Sequence, residues 1–190
     1  MASAKQEKSS APPASVILAM YIGLGAAISF LTGREPGTLP DNLLHELAPS
    51  VVVLTIFLTY YELADCLGTG ICKGEHLKAR ANMLYKQYAA LPEPEACFLA
   101  QRAQTNQVEQ MNVMIVGTVA CAIYVNGYTA AVLAGLWSLL RMQYSQTYRK
   151  SLGLEYGRVM KGISAYTIPC YFLANAMLVS AGIHAVRCLL

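Results

Sequence analysis

Two sets of polar side chains recur at helical spacing. Arg102, Asn106 and Glu109 stand at i, i+4 and i+7, and Arg141, Tyr144 and Tyr148 at i, i+3 and i+7. On an α-helix each set falls on a single face. Together they offer guanidinium forks for carboxylates, an acid and an amide for an amine, and phenolic donors. A small zwitterion with more than one carboxylate suits that set. An equally open alternative is that the groups satisfy one another, an Arg–Glu pair bridging helices or subunits to lock an assembly with nothing bound.

Other chemistry-bearing residues are less suggestive. Glu62 and Asp65 stand at i, i+3 beside Tyr60 and Tyr61. The spacing predicts acids at a helix end near the lipid–water boundary, with a proton or cation site as the minor alternative. His45, His76 and His184 are far apart in sequence and are expected in loops or at the interface. The six cysteines contain no CxxC pair and sit mostly in apolar runs, which predicts reduced, buried thiols and no metal site.

The elements that must position these residues are set by composition. Of 190 residues, 55% are apolar and 13% charged, with a mean hydropathy of +0.40. Ordinary soluble domains carry about 25% charged residues, so so little charge cannot clothe a water-exposed surface. A net charge of +3 without a basic, aromatic-interleaved stretch argues against nucleic acid as a partner. The composition is that of an all-α integral membrane protein in contact with lipid.

Residues 1–14 read as a flexible tail and 15–33 as an uncleaved first span, uncharged and close to the ~20 residues a membrane helix needs. A second span starts near Leu47, and Gly68-Thr69-Gly70 is expected to loosen it before a polar loop over 69–101. The uncharged run Gln110–Leu140 is too long for one span and too short for two, and Asn126-Gly127 in its middle supplies a tight turn. Two antiparallel helices must therefore begin before Gln110 and end after Leu140, which brings both polar faces to one end of the bundle. Gly162–Val186 is the fifth span, with Pro169 as a kink. Five spans leave only Arg34 and Arg187 of the 14 basic residues on one side, a positive-inside pattern with the N-terminus cytosolic or its equivalent.

The segment Arg102-Ala103-Gln104-Thr105-Asn106-Gln107-Val108-Glu109 resembles the RAQxNxxE signature of the MAPEG family, membrane-associated proteins in eicosanoid and glutathione metabolism. Arg141-Met142-Gln143-Tyr144-Ser145-Gln146-Thr147-Tyr148 resembles that family's RxxYxxxY stretch, at the family's separation. The likeness covers roughly residues 75–187. It implies a left-handed four-helix transmembrane bundle over 47–190, assembled as a homotrimer, with the helix at 15–33 as an extra N-terminal span. It also implies glutathione as co-substrate, without a metal, between subunits near the cytosolic face. Arg102, Gln104, Asn106, Glu109, Tyr144 and Tyr148 match its glutathione-contacting positions. Arg141 matches a basic position of the motif, and Arg158 lies nearest the place of the arginine that holds the thiol as thiolate.

Four positions depart from the family pattern. Gln110 replaces a tyrosine, Asn112 a proline, Glu155 occupies one expected place of the activating arginine, and Ala81 follows Arg80 where a basic pair is usual. Two functions follow as expectations. One is a membrane glutathione transferase or peroxidase acting on a lipophilic electrophile or lipid hydroperoxide, with Arg158 or Arg141 as the catalytic cation. The other is a non-catalytic accessory subunit of a larger membrane complex. Either would be multi-pass, in the endoplasmic reticulum or another organelle membrane such as the mitochondrial one.

Overall fold

A computed structural model of the chain describes residues 14–35, 40–78 and 95–190. Among these residues it contains five helices and no strand. Helix α1 spans Ala14–Thr32. Helix α2 begins at Leu43–Tyr60, passes through a π-helical stretch, Tyr61–Cys66, and resumes α-geometry over Leu67–Lys78. Helices α3, α4 and α5 span Glu95–Tyr124, Gly127–Arg149 and Tyr156–Leu189. Arg80 and Ala81, and residues 1–13 of the expected tail, lie outside the described residues.

Three helical segments are long and apolar enough to cross a membrane: Ser15–Thr32, Leu43–Glu75 and Tyr156–Leu189. At 30 and 23 residues, α3 and α4 have the length, about 45 and 35 Å at ~1.5 Å per residue. Their lower apolarity comes from polar side chains of two kinds: buried ones such as Gln107, Thr118, Ser138 and Arg141, and exposed ones such as Arg102, Thr105, Glu109 and Gln143. Outward positions on α2, including Val52, Ile56 and Leu63, stay apolar and exposed. Among the described residues this is an all-helical bundle, with an apolar outward face on α2 and several polar side chains buried between helices.

Local chemistry explains the helix ends. Asn126 caps α4, its side chain accepting from the N–H groups of Tyr128 and Thr129 at 3.0 and 3.1 Å. Asn42 caps α2 by accepting from His45 N–H at 3.1 Å. Between α4 and α5 the chain turns at Gly153 (φ +74), where a side chain would be strained.

The break expected at Gly68-Thr69-Gly70 does not occur; the helix runs on to Lys78. Tertiary contact explains why. A Cβ on Gly68 would lie 2.6 Å from Arg149 Nη1, and Thr69 Oγ1 donates to Ala100 O at 3.2 Å. The irregularity falls instead at Tyr61–Cys66, where Leu67 N–H donates to Glu62 O, five residues back. Within the expected loop over 69–101, the described residues 69–78 and 95–101 are helical, because α2 reaches Lys78 and α3 begins at Glu95. Helix α5 starts at Tyr156, earlier than Gly162, and runs on through Pro169.

Helices α2 to α5 share one core of Phe57, Met114, Cys121, Ala134, Trp137, Cys170 and Met177, all buried. Phe57 and Trp137 meet edge to face at 5.1 Å, a geometry favoured by the ring quadrupoles. Small residues bring the helices close. A Cβ on Gly127 would fall 2.1 Å from Glu46 O, so α4 begins against the α2 backbone.

Helix α1 lies along α5 in the same direction: Tyr21 meets Phe172 at 4.9 Å, Gly25 faces Val179 and Gly33 faces His184. His184 is thus fully buried in a helix contact, not in a loop or at the interface as expected. Past α1, Arg34 pairs with Glu46 at 2.6 Å and donates to Ile123 O at 2.7 Å. Glu46 in turn accepts from Gly127 N–H at 2.9 Å. One ion pair therefore satisfies the end of α3 and the start of α4 together.

Candidate functional site

A cavity of about 750 Å³ opens between α3, α4 and α5 at the bundle end where α4 gives way to α5. Arg102, Asn106 and Glu109 line it from α3, and Arg141, Tyr144 and Tyr148 from α4. The helical spacing places each set on one face, and the Asn126-Gly127 turn folds the two faces together. Helix α5 closes the third side with Ile163, Thr167 and Tyr171. A small apolar cluster of Leu99, Ala103, Tyr144, Tyr148 and Ile163 supports the site from beneath.

The charged groups differ in setting. Arg102 and Glu109 are exposed at the cavity wall, two helical turns apart. Arg141 is 1% exposed. Its Nε donates to Gln107 Oε1 at 2.7 Å, and its Nη2 donates to the Asn106 carbonyl. The guanidinium carbon stacks 4.4 Å from the Tyr144 ring and 5.7 Å from the Trp137 ring. Asn106 Nδ2 donates to the Tyr144 hydroxyl, and the Tyr144 and Tyr148 rings are tilted at 5.7 Å. Arg141 therefore has a fixed place, with cavity on one side and neutral acceptors on the other.

Two of the residues expected at the site are not among those lining the cavity. Gln104 turns toward α2, its Nε2 donating to Cys66 Sγ at 3.3 Å. Arg158 is exposed on the first turn of α5, and the cavity lining does not include it. Gln110, which stands where the family pattern has a tyrosine, also lines the wall.

Behind the site lies a network that sequence reasoning missed. Asp65 is fully buried and pairs with Arg149 at 3.0 Å. It accepts from Ser145 Oγ and from Gln107 Nε2 at 3.3 Å. Glu62 is exposed. The two acids do not share a face or lie at a helix end, because the π-helical stretch rotates Asp65 inward. A signal for the network was present: Arg141, Ser145 and Arg149 stand at i, i+4 and i+8, a second stripe on α4. Among the described residues no three His, Cys, Asp or Glu side chains gather as a metal would require, and none of the six cysteines is in a disulfide.

The MAPEG family model matches residues 49–179, well over half of the chain. The chain belongs to the MAPEG family. No curated protein and no solved structure matches it. Its apolar helices and this membership make it an integral membrane protein. The matched range runs from α2 into α5 and contains every residue of the cavity wall, while α1 lies outside it. This MAPEG chain thus places its family motifs on one wall and an added helix on the far side of α5.

Proposed function

We propose that the protein is a membrane glutathione transferase or peroxidase whose substrate is a lipophilic electrophile or lipid hydroperoxide. The observation that carries this reading is the convergence of Arg102, Asn106, Glu109, Arg141, Tyr144 and Tyr148 on one cavity. Glutathione has two carboxylates, an ammonium and a thiol. Arg102 at the open wall suits a carboxylate, Glu109 the ammonium, and Asn106 with Tyr148 the intervening amides.

The chemistry needs a cation beside the sulfur, since a thiol of pKa about 8.5 is a weak nucleophile until its thiolate is stabilised. Arg141 is the buried cation at the wall and takes that role. Arg158, outside the lining, is assigned no contact with sulfur. In transfer the thiolate attacks the electrophilic carbon, and the displaced pair of electrons goes to the leaving group or takes up a proton. With a hydroperoxide the thiolate attacks the terminal oxygen, forming the S–OH of a sulfenic acid as the O–O bond breaks and the alkoxide takes a proton to leave as the alcohol; a second glutathione thiol then displaces that hydroxyl as water, giving the disulfide. The apolar residues Ile163, Ile168 and Tyr171 continue the cavity along α5, toward the lipid from which such a substrate would come. In this reading three copies assemble as a homotrimer around shared sites.

A second reading is the non-catalytic accessory subunit, favoured by one observation: Arg141 already has two hydrogen-bond acceptors in the protein. The two are separated by titrating detergent-purified protein with glutathione and following the ultraviolet absorbance of the thiolate. The transferase reading expects a thiolate signal near neutral pH, lost in Arg141→Met and weakened in Arg102→Ala, with both variants folded. No signal at saturating glutathione would sink it in favour of the accessory role.

A further inference from the structure

We propose that Gln107, held by Asp65, is a positioning residue that keeps the charge of Arg141 uncancelled at the cavity wall, so that the cavity selects an anion there. This rests on the glutathione reading for the identity of that anion, the thiolate, but not for the geometry.

The argument begins with a charge count. The buried network behind the cavity contains two guanidinium groups, Arg141 and Arg149, and one carboxylate, Asp65. Arg149 takes the carboxylate directly at 3.0 Å, with Ser145 and Gln107 filling further acceptor positions. Arg141 meets only neutral acceptors: the side-chain oxygen of Gln107 and the Asn106 carbonyl. One positive charge is left over, and it sits on the group that lines the cavity. An uncompensated cation at 1% exposure is costly inside a membrane bundle. An anion in the cavity offsets that cost.

The amide at 107 decides the outcome, and its orientation is set from outside the site. Gln107 Nε2 has two acceptors on its side, Asp65 Oδ2 at 3.3 Å and Arg141 O at 3.0 Å. A flipped amide would press its oxygen against a carboxylate and a carbonyl, and its NH₂ against a guanidinium. Asp65 and the Arg141 carbonyl together fix which end of Gln107 faces the Arg141 guanidinium, and Gln107 fixes where that guanidinium lies. The π-helical stretch Tyr61–Cys66 is what brings Asp65 inward to do so. A carboxylate at position 107 would accept from Arg141 Nε as the amide oxygen does and would cancel its charge, while its second oxygen would face Asp65 and the Arg141 carbonyl with no proton to donate.

The test moves the carboxylate by one residue. Asp65→Asn with Gln107→Glu keeps shape and net charge. Asn at 65 can accept from Arg149 and Ser145 and donate to Glu at 107, which then pairs directly with Arg141. Two readouts are taken on full-length protein in detergent. The first is the thiolate absorbance of bound glutathione against pH. The second is the emission of Trp137 without ligand, a clean reporter because the chain has one tryptophan and Arg141 lies 5.7 Å from its ring.

The expected result is an apparent thiol pKa raised by about one unit, which is about tenfold less thiolate at a pH below both values and a few-fold less at the wild-type midpoint, together with a shifted Trp137 emission. A wild-type thiolate signal retained in full by the double variant would overturn the proposal. If wild-type protein forms no thiolate at all, the glutathione reading fails, and the emission then decides: a shift supports the positioning role and an unchanged spectrum overturns it. Gln107→Met, which withdraws the acceptor from Arg141 Nε without adding a charge, serves if the double variant does not fold: a shifted Trp137 emission with a weakened thiolate signal supports the positioning role, and both unchanged overturn it.

Discussion

Arg149→Met is the most informative single change outside the cavity. It leaves Asp65 fully buried with only two neutral donors, Ser145 and Gln107. At 3.0 Å the lost attraction is about 5 kcal/mol for an effective dielectric of ~20. The guanidinium no longer has to be stripped of water, which offsets part of that. Breaking one side of a buried pair costs roughly 3–5 kcal/mol, and Arg149, 27% exposed, puts the expected loss at the lower end, about 3 kcal/mol. Asp65→Leu combined with Arg149→Met removes both charges and should recover most of the loss, because no buried ion is then left alone. The assay is reversible denaturant unfolding in mixed micelles of the two single variants and the double, read as a double-mutant cycle. A loss below about 1 kcal/mol in Arg149→Met, or a coupling near zero, would refute the claim that this pair is a buried electrostatic unit.

Two further changes test the framework. Gly127→Ala sets a methyl against the Glu46 backbone, where a Cβ would lie 2.1 Å from a carbonyl oxygen, and should cost about 1–3 kcal/mol as overpacking; Gly70→Ala, with nothing within 4 Å, should be neutral or stabilising by up to ~1 kcal/mol, both read from the same unfolding curves. Asn126→Ala removes the acceptor for two N–H groups at the start of α4 and should cost about 1 kcal/mol; an unchanged midpoint would show that this cap contributes nothing.

Much of the site was legible because its residues obey local rules. Arg102, Asn106 and Glu109 share a face by helical spacing alone, as do Arg141, Tyr144 and Tyr148. The turn at Asn126-Gly127 has its own chemistry, and it forces the two faces toward each other. Gln104 was less legible: the motif places it among site residues, yet two positions along a helix is about 200° of rotation, which turns it toward α2 and Cys66. Asp65 was misplaced for a related reason. An i, i+3 pair shares a face only if the helix is α-helical, and the π-helical stretch rotates Asp65 away from Glu62. Nothing in a single sequence marks that stretch, because it is maintained by Arg149, Ser145 and Gln107, all more than 40 residues away in the chain.

The sequence by itself determined that this is a five-helix membrane protein with two polar faces brought together by a short turn, because apolar run length, charge asymmetry and helical spacing are local quantities. Tertiary structure alone decided how the buried charges pair. Asp65 takes Arg149, Gln107 stands between Asp65 and Arg141, and Arg141 is left facing the cavity with its charge uncancelled. Pairing of that kind depends on which distant helix faces meet and at what angle; the spacing of Arg141, Ser145 and Arg149 marks a stripe on α4 but not its partner on α2.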